Sequence, residues 1–279
     1  MKSGLYIVAS PIGNLSDITP RAVQVLKEAD VIACEDSRVT KKLFGLLGIS
    51  CAREFIVYQN YNEEEQSPQL LALLQSGKSV ALISDAGSPL ISDPGYKIVR
   101  KCRENNIDVT TIPGCCAVIA ALQLSGLPTN RFMFAGFVPN KEKARQDFFE
   151  ELKEMKATLV CYETAPRLII TLEVIRDIFG AREVCVAREL TKMYEECLRG
   201  SADELIARYT QKAPKGEIVV MIAPPTIAEQ KLETSEAETL LREKLAKMPL
   251  KSAVKEIVEE YGLNKNDIYE LALQIKNDK

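Results

Sequence analysis

VALISDAGSPLISDPGY, residues 80–96, is the stretch that decides the fold. The apolar run from Val80 to Ile83 ends at once in a loop of aspartate, glycine, serine and proline. An open α/β sheet forms a ligand crevice in this way, at the carboxyl end of a strand. Asp85 and Asp93 would accept hydrogen bonds from hydroxyls or amines and would repel phosphate. The loop therefore favours a polar ligand without phosphate groups, although two ordinary Asp/Pro turns would give the same pattern.

Strands and helices alternate around this loop. The first half predicts strands at 4–9, 31–36, 55–59, 79–84 and 108–113 and helices at 20–29, 41–47, 63–76, 96–105 and 116–125. Thr19 is the expected N-cap of the helix that begins at Pro20. Repeated βαβ units of this length predict a largely parallel sheet.

A second half continues with the same kind of elements. It predicts strands at 131–138, 157–163, 182–189 and 217–224 and helices at 141–156, 166–179 and 201–211. We therefore expect an α/β protein with an N-terminal domain over 1–115 and a C-terminal α/β domain over 116–225. A polar linker at 226–235 precedes a helical appendage at 236–279. Its helix spacing is that of a helix-turn-helix or of a docking or stabilising cap.

Composition narrows the class of protein. The 279 residues carry a net charge of −3 with interspersed signs and no basic tail, so contact with nucleic acid requires a local patch. The sequence has no apolar window long enough for a membrane span, and its first residues lack the apolar region of a signal peptide. Eight cysteines without CxxC spacing indicate buried free thiols in a reducing compartment, here the cytoplasm, and no metal site is expected.

The chain contains no histidine. Nucleophile systems that pair serine or cysteine with histidine are therefore excluded. A general base must be Asp, Glu, Lys, Tyr or a terminal amine. The first strand-end loop, residues 10–19, holds Gly13 but no G-x-G-x-x-G, and a P-loop is also absent, so NAD and ATP in their usual modes are not expected.

Further polar groups follow other predicted strands. Glu35, Asp36 and Arg38 form either a functional cluster or a surface salt bridge. Backbone N–H groups at Cys116 and Ala117 begin a helix and suit a carboxylate or carbonyl, although cysteines also fill cores. Strand-end cations suit phosphate, whereas the run around Lys141 would also fit a solvated helix face. These candidate phosphate contacts are Arg38, Lys141, Arg145, Arg188 and Lys192.

Several of these segments together resemble one family. They are SPIGNLSDITPRAVQVLKEADVIACEDSR, SDAGSPLISDPGYKIV, IPGCCAVIAAL, SGLPTNRFMFAGFVP, YETAPR, ARELTKMYEE and KGEIVV. In this order they resemble the ribosomal RNA small subunit methyltransferase I family, within the tetrapyrrole-methylase superfamily. The likeness runs from about residue 4 to 225, and the appendage is similar to that family's C-terminal part.

The resemblance implies two α/β domains with S-adenosylmethionine in the cleft between them, and methyl transfer to a cytidine 2′-hydroxyl of 16S ribosomal RNA. It also implies a cytoplasmic homodimer whose substrate is the RNA or the 30S subunit. The implied cofactor contacts are Pro11, Gly13, Asp85, Gly87, Ser88, Cys116, Ala117 and Tyr162. With no histidine available, the candidate proton acceptors are Glu35, Asp36 and Glu163. Glu35, Asp36 and Arg38 would face the RNA, and the five candidate phosphate contacts would hold its phosphates.

Two positions depart from the family pattern. The family commonly has histidines where this chain has Val39 and Pro166. Either those histidines are dispensable or catalysis is weaker in this member. A tetrapyrrole-type methylase of small molecules and a catalytically silent RNA- or metabolite-binding protein are the alternative functions.

Overall fold

The computed structural model describes residues 1–225, 234–261 and 263–277. The described chain divides into two compact units, one formed by Met1–Lys153 with Thr158–Ala223 and the other by Glu154–Ala157 with Pro224–Lys279. Residues 226–233 of the predicted polar linker lie outside the described residues.

The first sheet of the larger unit is entirely parallel, as predicted. Its strands are β1 (Gly4–Val8), β2 (Val31–Cys34), β3 (Glu54–Val57), β4 (Ser79–Ile83) and β5 (Val109–Ile112), in the order β3-β2-β4-β1-β5. The helices in this half are α1 (Pro20–Glu28), α2 (Ser37–Leu46), α3 (Glu63–Gln75), α4 (Tyr96–Glu104) and α5 (Ala117–Ser125). The chain leaves β2 toward β3 on one side and leaves β4 toward β5 on the other. The neighbouring strands β2 and β4 therefore form the topological switch point at which ligands bind in such sheets.

The second sheet is mixed. Its strands are β6 (Phe132–Phe137), β7 (Thr158–Thr164), β8 (Val184–Arg188), β9 (Glu196–Gly200) and β10 (Glu217–Ile222), in the order β6-β7-β10-β8-β9. Only β6 and β7 pair in parallel, and the other three pairings are antiparallel. The helices of this half are α6 (Glu142–Leu152), α7 (Leu168–Phe179) and α8 (Ala202–Gln211). The second sheet thus differs from the parallel first sheet, and its strand β9 was not predicted.

Local capping explains where several helices begin. The Thr19 side chain accepts from the N–H of Ala22, which confirms the predicted N-cap of α1. Helix α2 begins four residues before the predicted start, because the Asp36 carboxylate caps it by accepting from the N–H of Arg38 at 2.8 Å. In α8, Ser201 and Glu204 form a reciprocal capping box.

Apolar side chains cover both faces of each sheet. Alternate residues of β4 divide between the two cores of the first sheet, since Ala81 and Ile83 face one core and Val80 and Leu82 the other. Helices α6, α7 and α8 contribute to the core on one face of the second sheet. Helix α5 packs on the opposite face of that second sheet. The chain therefore changes from one sheet to the other at the start of α5.

The smaller unit contains three helices in the region of the predicted helical appendage. They are α9 (Thr234–Leu245), α10 (Leu250–Tyr261) and α11 (Lys265–Asn277). Leu241, Val254, Ile257 and Ala272 form part of an apolar core of their own. Among the described residues, we find no helix that is long and apolar enough to cross a membrane.

Candidate active site

A cavity of about 550 Å³ opens between the carboxyl end of the first sheet and one end of the second. It is called the cleft below. The cleft brings together most of the catalytic and cofactor-binding residues that the sequence predicts, namely Glu35, Asp85, Gly87, Ser88, Cys116, Ala117, Tyr162 and Glu163. Its size falls in the range typical of small-molecule sites, about 300–1,000 Å³.

Backbone and side-chain hydrogen bonds fix the loop after β4. Ser10 and Gly87 exchange backbone hydrogen bonds of 2.9 and 3.2 Å, which join this loop to the one after β1. Gly87 has φ +87°, a conformation that favours glycine. The Ser88 hydroxyl donates to the carbonyl of Cys115 at 2.9 Å, and the Gly95 N–H donates to the buried Glu63 carboxylate at 2.7 Å. The loop is therefore held at both of its ends.

Strained backbone marks the two loops that border the cleft. In the described part of the chain, five non-glycine residues have positive φ. Leu90 and Ser92 belong to the loop after β4, and Glu189 and Thr191 belong to the loop after β8. Such conformations cost roughly 1–3 kcal/mol each and cluster at functional sites.

Three carboxylates of the first-sheet half, Glu35, Asp85 and Asp93, line the cleft. Burial, followed by the nearby charge of Glu35, raises the pKa of Asp93 to about 6. Burial is also the main cause that raises the pKa of Glu35 and of Asp85 above their ordinary values. The predicted cofactor contacts do not include Asp93, although it belongs to the same Asp/Gly/Pro loop. Like charges in a partly dehydrated site favour a cationic ligand.

The opposite wall is apolar and aromatic. Tyr162 makes edge-to-face contacts with Phe134 and Phe137, with ring centroids 4.8 and 5.1 Å apart. Phe137, Leu190 and Val219 also line the cleft but were not predicted. Their signal in the sequence is no different from that of ordinary core residues, so periodicity could not single them out.

Asp36 lies at the end of β2 but outside the cleft lining. Its carboxylate pairs with the Arg38 guanidinium, with Oδ2 2.6 Å from Nη2, and also caps α2. The Arg38 hydrogen bond holds the pKa of Asp36 at about 2. The backbone N–H of Asp36 donates to the Asp85 carboxylate at 3.1 Å. Asp36 thus supports Asp85, and its own carboxylate has partners that leave it poorly suited to accept a proton.

Glu163 lines the cleft, yet its side chain is fully buried and its carboxylate is occupied. It accepts from Arg167, from the hydroxyl of Thr171 at 2.5 Å and from the N–H of Thr164 at 2.7 Å. Arg167 in turn donates to the carbonyl of Val138. This network ties β7 to the start of α7, which is a positioning role.

Pro11 and Gly13 flank the cleft, and Ile12 between them contributes to its lining. Gly13 is where the loop after β1 meets the loop after β8. A Cβ there would lie 2.5 Å from Cγ of Lys192 and 3.0 Å from the carbonyl oxygen of Leu190. The close approach of the two loops therefore requires glycine at this position.

The candidate phosphate contacts differ in accessibility. Lys141 and Arg38 are exposed. Arg145 is only 5% exposed and does not line the cleft. Arg188 pairs with Glu196 at 2.7 Å, and Lys192 pairs with Glu189 and Glu217 at 3.0 and 2.9 Å. These five cations do not form one patch at the cleft.

Comparisons with known proteins agree with this architecture. The family profile described as Tetrapyrrole (Corrin/Porphyrin) Methylases matches residues 4–206, and one described as RsmI C-terminal HTH domain matches residues 232–276. The second match favours the helix-turn-helix interpretation of the appendage over a plain helical cap.

Solved structures share the fold. A cobalt precorrin-4 methyltransferase of cobalamin biosynthesis superposes with a TM-score of 0.55 at 17% identity, covering 78% of this chain and 94% of that chain. A diphthine synthase superposes with a TM-score of 0.61 at 15% identity, covering 78% and 90%.

Curated relatives are much closer in sequence. Ribosomal RNA small subunit methyltransferase I of Erythrobacter litoralis (strain HTCC2594) is 48% identical, covering 99% of this chain and 96% of the relative. The protein of the same name from Escherichia coli O157:H7 is 43% identical, covering 97% and 94%. The chain therefore belongs to the tetrapyrrole methylase family and, within it, to the ribosomal RNA small subunit methyltransferase I family.

Proposed function

We propose that this chain transfers the methyl group of S-adenosylmethionine to the ribose 2′-hydroxyl of a cytidine in 16S ribosomal RNA. The observation that carries the proposal is the charge of the cleft. Among the described residues, its lining includes several carboxylates and neither lysine nor arginine. A cleft of this charge suits a cationic cofactor and an uncharged ribose.

The lining fits the cofactor. S-adenosylmethionine carries a sulfonium and an α-ammonium group, and Glu35, Asp85 and Asp93 supply the opposite charge in a partly dehydrated setting. Phe137 and Tyr162 offer an apolar wall for the adenine ring. Cys116 and Ala117 begin α5 with small side chains that allow close approach. The bound cofactor supplies an electrophilic methyl group, so the protein needs to align the reactants and remove a proton.

Glu35 is the proton acceptor that we propose for the 2′-hydroxyl. It lines the cleft, whereas Asp36 lies outside it and Glu163 is fully hydrogen-bonded. Its raised pKa makes the carboxylate a better base than an exposed glutamate. Because Asp93 and Asp85 are neighbours with the same charge, the three carboxylates titrate as a group.

The missing histidines fit this proposal. Val39 is exposed on α2 and does not line the cleft, and Pro166 lines it without any group that can titrate. We infer that proton transfer in this chain uses carboxylates. A polycarboxylate tetrapyrrole would be repelled by the acidic lining, which argues against that alternative substrate.

We further propose that the protein works in the cytoplasm as a homodimer. All eight cysteines are free, which suits a reducing compartment. Large exposed apolar side chains such as Leu46 and Tyr61 are candidates for a subunit contact. Light scattering coupled to size-exclusion chromatography measures the mass directly, and a monomer at all concentrations would contradict the dimer.

The experiment that tests the function uses labelled S-adenosylmethionine with unmethylated 30S subunits and with free 16S RNA. The RNA is then digested to nucleosides and analysed by mass spectrometry. We expect 2′-O-methylcytidine, and label on a base or no transfer would contradict the proposal. Binding without transfer would instead support the silent binding protein.

Calorimetry tests the cofactor site separately. Asp85→Asn should weaken binding of S-adenosylmethionine more than binding of the product S-adenosylhomocysteine, because the product keeps the α-ammonium group but lacks the positive charge of the sulfonium. Asp267→Asn on the surface of α11 is the matched control. Equal loss for both ligands would remove the electrostatic part of the argument.

A further inference from the structure

A second cavity, of about 730 Å³, lies beside β8, β9 and α8. Its charged lining residues are Arg188, Arg199, Arg208 and Lys212, together with Glu196 and Glu204. We propose that this cavity, called the basic groove below, binds a backbone phosphate of the RNA strand whose ribose enters the cleft. The inference rests on the proposed function and identifies where the RNA is held.

The charge of the cleft creates the need for such a site. A ribose within an RNA strand carries a phosphate on each side, and each phosphate is negative. The carboxylates of the cleft repel these groups, and the cleft lining described here contains no cation to offset them. The phosphates therefore have to be held outside the cleft by cations, which supply most of the affinity of proteins for nucleic acids.

The lining of the groove contains more cations than carboxylates. Glu196 is already paired with Arg188, and Glu204 accepts from the N–H of Ser201 at 2.8 Å as part of the capping box. Arg208 and Lys212 are exposed, and no ion pair involves either of them among the residues that the structure describes. The groove lining therefore carries four cations against two carboxylates, and two of the cations have no ion-pair partner among the described residues.

Tyr209 is an independent indication of a ligand. Its side chain lines the groove and is only 3% exposed, and within the described residues its hydroxyl has no hydrogen-bond partner. Buried hydroxyls are normally satisfied, since an unpaired one costs free energy. Glu196, Arg188 and Arg208 are the charged neighbours that influence the pKa of Tyr209, which burial raises. A phosphate oxygen is the acceptor that this hydroxyl lacks.

The groove and the cleft lie within reach of one RNA strand. Arg188, the last residue of β8, lines the groove, and Leu190 lines the cleft. Their Cα atoms are two peptide links apart, which is at most about 7.6 Å. The two cavities therefore border the same loop, and we infer that an RNA strand whose ribose enters the cleft passes this loop to reach the groove.

Helix electrostatics give a purely structural alternative. Arg208 lies in the last turn of α8 and Lys212 follows it, where cations stabilise a helix through its dipole. In that case, loss of these charges would lower the melting temperature and leave RNA binding unchanged.

The test compares the double variant Arg208→Glu/Lys212→Glu with a control that changes the net charge equally, Arg103→Glu/Lys27→Glu on exposed positions of α4 and α1. Full-length proteins are titrated with unmethylated 30S subunits over a range of KCl concentrations, and methyl transfer is followed with varied 30S. We expect the salt slope of the groove variant to fall by about 0.7–0.9 per lost phosphate contact and its KM for 30S to rise about tenfold. The kcat and the affinity for S-adenosylmethionine should stay at wild-type values.

Tyr209→Phe tests the hydroxyl without changing charge. We expect the KM for 30S to rise about three- to tenfold, while the melting temperature stays equal to or above that of the wild type, because a buried unpaired group is removed. If the groove variants match the control in salt slope and KM while the wild type methylates the ribose, the groove proposal alone is overturned. If the wild type itself does not methylate a ribose, the proposed function fails first.

Discussion

Gly13→Ala tests how the loops of the two sheets meet beside the cleft. A Cβ at position 13 would lie 2.5 Å from Cγ of Lys192, 2.8 Å from Oγ1 of Thr191 and 3.0 Å from the carbonyl oxygen of Leu190. Carbon atoms in contact prefer about 3.5–4.0 Å. The loop after β8 must therefore retreat by about 1 Å, and one of the clashing atoms belongs to its backbone.

This retreat has two consequences. Lys192 holds Glu189 and Glu217 at 3.0 and 2.9 Å, so moving its stem disturbs both ion pairs. Overpacking of this kind costs about 1–3 kcal/mol. Leu190 also moves out of the cleft wall, so we expect weaker binding of S-adenosylmethionine as well as lower stability.

Urea unfolding measures the change in stability, and Gly45→Ala is the matched control. Gly45 lies within α2, and a Cβ there would meet nothing within 4 Å. Alanine should stabilise that helix by about 0.5–1 kcal/mol, so the two substitutions have effects of opposite sign. A Gly13→Ala protein as stable as the wild type, with unchanged affinity for S-adenosylmethionine, would refute the reasoning.

Three further predictions concern single side chains. Burial raises the pKa of Asp93 from its ordinary 3.8 to about 6, so ionisation of this side chain opposes folding. Asp93→Asn should therefore raise the melting temperature by roughly 2–6 °C above pH 6. The gain should vanish below pH 4, where Asp93 is protonated in the folded protein. Glu163→Gln leaves Arg167 without its buried partner and should cost about 3–5 kcal/mol in urea unfolding, whereas the exposed Glu151→Gln should cost almost nothing. Ser201→Ala removes the capping box of α8 and should cost about 1 kcal/mol; no loss in urea unfolding would contradict that role for the cap.

The first sheet was predictable because its signals are local. Each parallel strand is a short apolar run that ends in a polar loop, and carboxyl ends of parallel strands meet at one edge. Strand β9 was missed because Glu196 and Arg199 interrupt its apolar pattern and it pairs only at the edge of the sheet. Residues 196–200 form strand β9 because they pair with β8, and this pairing cannot be predicted from the sequence of either segment alone.

The candidate site was also predictable only in part. The motifs at strand ends identified the cleft residues, but a list of motifs does not say which charges neutralise each other. Arg188 pairs with Glu196 only because the unpredicted β9 returns beside β8. Arg145 did carry a readable signal, since it shares a helix face with Phe149 and Leu152 at i+4 and i+7, and all three are buried.

The separation of charge explains how one fold accommodates different substrates. A cobalt precorrin-4 methyltransferase shares the fold of this chain, so the fold alone does not determine the substrate. In this chain the cleft is acidic, and cations without an ion-pair partner among the described residues lie across the loop after β8, in the basic groove. Such an arrangement favours a ligand whose reacting group is neutral and whose negative charge lies on a neighbouring phosphate. A polynucleotide meets that requirement, and a small polycarboxylate with its charges around the reacting centre does not. We therefore propose that charge placement at the two cavities, more than the shape of either, directs this member of the family toward RNA.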